Sequence, residues 1–300
     1  MKFHVLSDSS CDITLQQEHA YPIGIIPYYV SFDGETYQKE RIELTAEAFH
    51  QKMAEHPGVF PKTSTPTQMD YYNSFLPYAQ KGEQVLFFNL SAKFSSSFQS
   101  AALAAEALME EYPDCKILVI DSISATVQQG LLVTEAAKMA EDGFSLEEAA
   151  EKAERLKQTS RIFFTCADLS YLKHGGRIGN VLQQAAIALK IKPIMHMYGG
   201  ELQPAGIARS RKKSLQKVIS DAQAFFKDKD CNTYRICTGF GHDKEEFEEF
   251  YQEVVAAMRS IGFTGEVERY QIGSTIGVHT GPTPIGIAVI QRYQSLPESP

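Results

Sequence analysis

Three stretches of the chain carry more hydroxyl side chains than the capping of a helix requires. They are SDSSCD (7–12), KTSTPT (62–67) and FSSSFQSA (94–101). Hydroxyl groups and the free backbone N–H groups of a first helical turn form a neutral set of donors that favours an anion. The last stretch lacks the glycines of a Walker loop, which argues against a nucleotide there. Its pattern is typical of a site for a carboxylate or a phosphate.

Helix capping accounts for part of each stretch. Ser9 or Asp12 fits the start of the first helix, and Thr67 fits the start of a later one. Ser96 or Ser97 fits the start of the alanine-rich helix that follows the third stretch. The remaining hydroxyls of the second stretch would then belong to a solvated loop. On the residues alone, capping and anion binding both stay open.

The glycine-rich segment IGSTIGVHTGPTPIG (272–286) lies between two predicted strands and carries His279. Glycine at this density predicts a loop whose backbone approaches another group closely. A single histidine is more often structural than functional, yet an imidazole in such a loop is suited to donate a hydrogen bond to a carboxylate. Both roles stay open for His279.

Two basic features stand out in an acidic chain. The turn HGGRIG (174–179) places Arg177 after two glycines, and ARSRKKS (208–214) concentrates four basic residues. Arg177 would either pair with an internal acid or face a ligand or a partner. The basic run is either a solvated start of a helix or a docking surface for an acidic partner.

The chain lacks the common catalytic and nucleotide-binding motifs. G-x-S-x-G, H-E-x-x-H, G-x-x-x-x-G-K and G-x-G-x-x-G do not occur in it. A triad of serine, histidine and aspartate would have to assemble from distant residues. Hydroxyl-rich stretches with one histidine indicate the binding of an acid more than the cleavage of a bond.

The composition narrows the class of protein. The 300 residues carry a net charge of −8 and a pI of about 5.6, which argues against nucleic acid as a partner because phosphate binding needs a basic surface. The five cysteines are scattered, so neither a disulfide framework nor a zinc site is expected. MKFHVLSDSS is not typical of a signal peptide, and no apolar run approaches the roughly 18 residues of a membrane span. A cytoplasmic location is therefore expected.

The elements that must position these residues fall into two halves. QVLFFNL (84–90) and KILVID (116–121) are continuous apolar runs of the kind found in buried parallel strands. Helices are predicted over 46–55 and 68–79, and a hairpin through Asp33-Gly34. The predicted N-caps are Thr45, Thr67 and Ser145. Alternating strands and helices predict a parallel sheet covered by helices.

The second half has a different pattern. KIKPIMHMYGGELQPAGIA (190–208) predicts an antiparallel hairpin that turns at Gly199-Gly200. Further strands are predicted at 161–169, 233–240, 266–272 and 286–292, and helices at 211–227 and 243–260. Together these elements predict a mixed sheet. A boundary near residue 160 gives an N-terminal α/β domain over 1–160 and a C-terminal α/β domain over 161–300.

Taken together and in this order, motifs that run almost end to end resemble the DegV family, the fatty-acid-binding subunits of bacterial fatty acid kinase. They are SDSSCD (7–12), TSTPT (63–67), LSAKFSSSFQSA (90–101), VIDS (119–122), DLSYLKHGGRIG (168–179), LKIKPI (189–194), ARSRKK (208–213) and IGVHTGP (276–282). The resemblance implies two α/β domains with a lipid tunnel between them, which agrees with the parallel and mixed sheets predicted above.

The resemblance also implies which residues hold the carboxylate of a fatty acid. The family uses a threonine of a TS-x-P loop, a serine of an LSGT-like loop and the histidine of an H-x-G-P loop. The matching positions and their neighbours are Thr63, Ser64, Ser95, Ser96, His279 and Thr280. The family's TSQPS is TSTPT here, and its Gly-Thr is Ser96-Ser97, so Ser95 and Ser96 both stay candidates. Arg177 and Arg209 match arginines implied in contact with the partner kinase or with a phosphate.

On this resemblance, the chain would bind a long-chain fatty acid such as palmitate, stearate or oleate, with no metal or other cofactor and no catalysis of its own. It would present the carboxylate to an ATP-dependent kinase for acyl phosphate formation, which feeds exogenous fatty acids into phospholipid synthesis. A transient membrane contact is compatible with that role. Two alternatives stay open, a serine-dependent acyl hydrolase using Ser95 or Ser96 with His279, and a sensor of a different small acid.

Overall fold

The computed structural model describes residues 2–167, 169–179 and 191–297. Their strands are β1 (His4–Asp8), β2 (Ile23–Ile26), β3 (Tyr29–Ser31), β4 (Gln38–Lys39), β5 (Lys62–Ser64), β6 (Gln84–Asn89), β7 (Lys116–Asp121), β8 (Arg161–Thr165), β9 (Lys192–Tyr198), β10 (Glu201–Ala208), β11 (Tyr234–Phe240), β12 (Val267–Gln271) and β13 (Ile285–Gln291). Their helices are α1 (Leu15–Ala20), α2 (Ala46–Glu55), α3 (Gln68–Ala79), α4 (Ser97–Glu111), α5 (Thr126–Glu141), α6 (Leu146–Thr159), α7 (Ser170–His174), α8 (Arg211–Phe225), α9 (Lys244–Ser260) and α10 (Ser274–Thr280). Asp168, Leu189 and Lys190, which belong to predicted strands or motifs, lie outside the described residues.

The first half contains a sheet with the strand order β2-β1-β6-β7. Each neighbouring pair in this sheet is parallel. Because successive side chains point to opposite faces, Phe87 packs with α3 and α4, whereas Leu86 and Phe88 join the cluster that includes α5 and α6. The predicted helix-covered parallel sheet is therefore confirmed.

The predicted N-caps of three helices are confirmed. Each side-chain oxygen accepts a hydrogen bond from the backbone N–H three residues later, as a capping residue does. The three caps are Thr45 of α2, Thr67 of α3 and Ser145 of α6. Local sequence was sufficient here because both partners of each bond lie within one turn.

Two other capping predictions are wrong. Helix α1 is capped by Thr14, not by Ser9 or Asp12, because the chain first forms a short 3₁₀ turn at Ser9–Cys11. At the start of α4, Ser96 occupies the N-cap position without a side-chain capping bond. Ser96 therefore does not act as a side-chain cap, whereas Ser95 Oγ accepts a hydrogen bond from Ser97 N in the first turn of α4.

A small antiparallel sheet with the order β4-β3-β5 lies beside the parallel sheet. Its β3–β4 pair confirms the hairpin predicted through Asp33-Gly34. KTSTPT was expected to be a loop, but Lys62–Ser64 forms β5 and pairs with β3, placing Thr63 opposite Val30. This strand has three residues, and a pattern that short does not distinguish a strand from a loop.

The second half contains a mixed sheet with the order β10-β9-β8-β13-β11-β12. Only the β11–β12 pair within it is parallel. The predicted hairpin at Gly199-Gly200 joins β9 to β10. Along β13, Ile287 and Val289 face α8 and α9, whereas Ala288 and Ile290 face the side of α5 and α6. The mixed sheet is thus covered on both faces.

The glycine-rich segment before β13 is partly helical, which corrects the prediction of a loop. Ser274–Thr280 forms α10, and His279 lies in its last turn. The side chain of Glu40 accepts hydrogen bonds at the start of this helix, from Ser274 Oγ at 2.9 Å and Thr275 N at 2.8 Å. Glu40 is 234 and 235 positions away, so local sequence could not reveal this support.

The two larger sheets meet at a common core. The chain passes from the parallel sheet to the mixed sheet after α6, which ends at Thr159. One apolar cluster nevertheless contains side chains of both sheets, for example Phe88 and Phe164, with α5 between them. The domain limits 1–160 and 161–300 stay a prediction, and the residues near the cavity described next come from both halves.

Candidate functional site

A mostly apolar cavity is lined by the mixed sheet, the first turn of α5 and helix α10. It encloses about 1010 Å³ of space when its opening to solvent is included. The apolar lining includes Leu90, Phe94, Phe164, Met197 and Ile276. Such a lining suits a ligand whose greater part is apolar.

Four of the predicted carboxylate ligands line this cavity, namely Thr63, Ser95, His279 and Thr280. Thr63 comes from β5, Ser95 precedes α4, and His279 comes from the last turn of α10. Thr63 Oγ1 lies 3.3 Å from His279 Nε2, although the residues are 216 positions apart. These polar groups provide hydrogen-bond partners in a mostly apolar cavity.

Ser95 is held by a hydrogen-bond network that the sequence did not indicate. Its Oγ lies 3.0 Å from the Tyr28 hydroxyl and 3.0 Å from Ser97 Oγ, and it accepts a bond from Ser97 N. Tyr28 also lines the cavity and donates to Ser97 Oγ at 2.7 Å. Behind them, Asn89 Nδ2 donates to Ser97 Oγ and to the buried Asp8. This network fixes the orientation of the Ser95 hydroxyl.

The exposure and hydrogen bonds of the other hydroxyl candidates distinguish them from Ser95. Ser64 and Ser96 are exposed and do not line the cavity. Thr280 does line it, but its hydroxyl donates to the Ile276 carbonyl at 3.1 Å. The geometry therefore favours Ser95 over Ser96 as the serine that faces a ligand.

His279 is half-buried and is neutral near pH 7. Burial, assisted by the positive charge of Arg177, lowers the pKa of His279 from 6.5 to about 4. Its Nδ1 is buried and has no hydrogen-bond partner among the described residues. A neutral imidazole at this place can donate or accept a hydrogen bond without adding a fixed charge to the cavity.

The first glycine of the HGGRIG turn packs against His279. A Cβ built on Gly175 would lie 2.1 Å from His279 Nδ1, which is far inside van der Waals contact. Gly175 has an ordinary helical backbone conformation, so the close approach, not the backbone angle, excludes a side chain. This turn therefore fixes the position of the imidazole ring.

The two candidate arginines lie in different places. Arg177 lines the cavity where it adjoins an open pocket that contains Lys93 and Glu201. Its guanidinium donates to the backbone carbonyls of Phe94 at 3.2 Å and Gly175 at 2.7 Å. Arg209 is exposed just before α8 and does not line the cavity. Arg177 is therefore a residue of the cavity mouth, and Arg209 a residue of the surface.

The buried side chain of Glu40 joins three separate parts of the site. Besides Ser274 and the Thr275 backbone, it accepts hydrogen bonds from Thr275 Oγ1 at 2.6 Å and from Ser9 Oγ. It thus connects the 3₁₀ turn after β1, the end of β4 and helix α10. Burial and the charge of Glu40 together hold the pKa of the neighbouring Asp12 well above its usual range.

Other site types receive little support from the described contacts. Over residues 2–167, 169–179 and 191–297, no cluster of three or more His, Cys, Asp or Glu side chains could hold a metal ion. The helices in these ranges are too short or too polar to cross a membrane. Ser95 and His279 have different hydrogen-bond partners, whereas a hydrolase nucleophile would be expected to contact its base.

Comparison with known proteins finds DegV domain-containing and fatty-acid-binding proteins that are similar over nearly the whole chain. A DegV domain-containing protein of Clostridium acetobutylicum is 30% identical over 294 residues, covering 96% of this chain and 97% of the relative. A stearic acid-binding protein of Eubacterium ventriosum has a TM-score of 0.93 at 38% identity, with 98% of this chain and 100% of that chain covered. A fatty-acid-binding DegV family protein of Thermus thermophilus has a TM-score of 0.86 at 28% identity, with 97% and 100% covered.

The match extends along nearly the whole sequence. The family model described as "Uncharacterised protein, DegV family" matches residues 2–292. This range includes both sheets and all the residues described above around the cavity. The chain therefore belongs to the DegV family.

Proposed function

We propose that the protein binds a long-chain fatty acid, with the tail in the apolar cavity and the carboxylate beside Thr63, Ser95 and His279. The observation that carries the proposal is that these three polar side chains line one mostly apolar cavity, where Thr63 Oγ1 lies 3.3 Å from His279 Nε2. Burial of each CH₂ group of the tail contributes about 0.8 kcal/mol. The fatty acids bound by related solved structures support the same ligand class.

The three side chains proposed to bind the carboxylate, Thr63, Ser95 and His279, are neutral. Unpaired burial of a carboxylate costs several kcal/mol, and hydroxyl and imidazole donors offset this cost. A bidentate arginine would occupy both oxygens, whereas single donors leave one oxygen available for reaction. In this proposal the protein presents that oxygen to a separate ATP-dependent kinase, which forms the acyl phosphate. Arg177 at the cavity mouth and Arg209 on the surface would contact the kinase or the new phosphate.

The proposed role also implies a cellular location and a metabolic pathway for the protein. An acid collected from outside would be phosphorylated and passed to phospholipid synthesis, in the cytoplasm and with a transient membrane contact during loading. The absence of a nucleotide motif from the sequence supports a separate kinase subunit. Mass spectrometry of the lipid released from the denatured protein is the first test. A long-chain acid supports the proposal, and a polar acid or no lipid contradicts it.

The assignment of Thr63, Ser95 and His279 to the carboxylate head group predicts that their substitution weakens binding, whereas substitution of their exposed neighbours does not. Thr63→Val, Ser95→Ala and His279→Ala should each weaken fatty acid binding by roughly tenfold to a hundredfold, because each removes a hydrogen bond to a charged group. Acyl phosphate formation by the kinase should fall in the same variants. Displacement of a fluorescent fatty acid measures the first effect, and transfer of labelled phosphate measures the second.

Exposed neighbours supply the matched controls for these variants. Ser64→Ala and Ser96→Ala remove hydroxyls of the same two stretches outside the cavity. Both should bind fatty acid as the unmodified protein does. Unchanged binding in all three head-group variants would refute the assignment, and a loss confined to Ser96→Ala would transfer the serine role from Ser95 to Ser96.

A substitution beside the imidazole provides an independent prediction. Gly175→Ala should weaken fatty acid binding by roughly tenfold or more, the value of a charged hydrogen bond, because the new methyl group would displace His279. Gly176→Ala is the control, since a Cβ there meets nothing within 4 Å, although its positive φ of 68° adds strain. Competition binding should distinguish the two variants. Equal affinities in both would show that the position of His279 does not govern binding.

A further inference from the structure

Two glycines lie side by side in the wall of the cavity. Gly239 of β11 and Gly286 of β13 are directly opposite each other in the mixed sheet, and both line the cavity. The next pair on the same face, Cys237 and Ala288, is part of the packed core. The glycine pair thus places no side chain on this part of the cavity wall.

This glycine pair lies far from the cavity mouth. The open polar pocket shares Phe94, Arg177 and Leu202 with the cavity, and the exposed Arg177 and the half-buried Phe94 mark the solvent side. Leu202 is on β10 and Gly239 is on β11, four strand intervals apart in the sheet order, which corresponds to about 19 Å. Near Gly239, the cavity is bordered by Val127 and Ile272, which are only 3% and 6% exposed. We infer that Gly239 lies at the closed end.

The two glycines differ in the room that they leave for a side chain. A Cβ on Gly286 would lie 2.6 Å from the Phe163 carbonyl oxygen, a backbone clash that excludes any substitution. A Cβ on Gly239 would lie 3.4 Å from Val127 Cγ1 and 3.5 Å from Ile272 Cγ1, close to ordinary contact. A methyl group therefore fits at Gly239, and a larger side chain must extend into the cavity.

We propose that Gly239 determines the maximum acyl chain length that the protein accepts. The absence of a side chain there makes room for the terminal carbons of the tail against Val127 and Ile272. This inference rests on the proposed fatty acid binding and adds a residue that selects among fatty acids. A side chain at this position would fill the space that the last carbons of a long acid occupy, while shorter acids would still fit.

The test compares lauric, myristic, palmitic and stearic acids on the unmodified protein and on Gly239→Ala and Gly239→Val. Each CH₂ group that loses its burial weakens binding about fourfold. In Gly239→Val, the ratio of affinities between the longest acid that the unmodified protein binds and lauric acid should fall by roughly tenfold or more. Gly239→Ala should shift the ratio in the same direction by less.

Ala222→Val is the matched control, since it adds the same valine to the buried cluster on the opposite face of the sheet. Its chain-length profile should equal that of the unmodified protein. A profile unchanged in Gly239→Val, or a loss equal for all four acids, would overturn the inference. If Gly239→Val does not fold, the affinity ratio between the longest acid and lauric acid in Gly239→Ala decides whether Gly239 limits the chain length. Failure of the unmodified protein to bind any of the acids would refute the proposed function instead.

Discussion

Replacing Arg235 with methionine is expected to lower the free energy of unfolding by about 3–5 kcal/mol, because it removes the cation shared by the buried Glu135 and the half-buried Glu268. Arg235 is 5% exposed and lies on β11. Its guanidinium donates to both oxygens of Glu268 at 2.8 and 2.7 Å and to Glu135 Oε1 of α5 at 3.1 Å. Methionine fills a similar volume but supplies no charge. Urea denaturation measures the loss.

The same loss should depend on pH. Burial alone would raise the pKa of Glu268, but the charge and hydrogen bonds of Arg235 outweigh it and hold the pKa below its usual value. In the unmodified protein, Glu268 therefore contributes stability above pH 4.5 that is lost as the pH falls below it. In Arg235→Met, the carboxyl group is stabilised by protonation. The difference between the two proteins should be largest at neutral pH and should narrow on acidification.

An exposed arginine provides the control for Arg235→Met. Arg269 pairs with Glu248 at 2.8 Å on the protein surface and stacks on Tyr251. Arg269→Met should lower the free energy of unfolding by less than about 1 kcal/mol, the usual limit for an exposed ion pair. Equal losses in the two variants, or a loss in Arg235→Met that is independent of pH, would contradict the role assigned to the buried pair.

The second large effect is expected at Glu40. Glu40→Leu would leave three hydroxyls and the Thr275 backbone N–H without their acceptor in a buried place. With a cost of about 1–3 kcal/mol for each unsatisfied group, the loss in unfolding free energy should be roughly 3–6 kcal/mol, since some hydroxyls will find new partners. Fatty acid binding should fall as well, because the start of α10 loses its anchor and His279 follows the helix.

Glu40→Gln separates packing from charge at this position. Glutamine keeps the shape and one acceptor oxygen, so this variant should lose less stability than Glu40→Leu and should retain measurable fatty acid binding. Denaturation with and without added oleate gives both quantities in one experiment. Binding that is normal in a destabilised Glu40→Leu would show that α10 does not depend on Glu40 for its position.

The elements that depend on local patterns could be predicted from the sequence. Continuous apolar runs located β6 and β7, and hydroxyl residues before helical segments located the caps of α2, α3 and α6. The hairpin at Gly199-Gly200 followed from its turn residues. In each case the interacting groups are close in the chain or share one uninterrupted hydrophobic pattern.

The parts of the candidate site that were not predicted depend on strand pairing and hydrogen bonds between residues far apart in the sequence. Strand β5 is defined by pairing with β3, and α10 begins where Glu40 accepts its first hydrogen bonds. Tyr28 reaches Ser95 across 67 positions of sequence. Family resemblance supplied Thr63, Ser95 and His279 as candidates, but only the fold showed that Ser96 faces solvent and that Tyr28 supports Ser95.

The contact between Thr63 and His279 has a consequence for the thermodynamics of the whole chain. It closes a loop of 216 residues that passes through the parallel sheet and enters the mixed sheet. Thr63 lies in the first half of the chain and His279 in the second, so neither half alone possesses the proposed head-group site. Any ligand held there binds the native state and not the unfolded chain, and its free energy of binding adds to global rather than local stability. If the chain binds a fatty acid as proposed, its resistance to unfolding should rise with lipid occupancy.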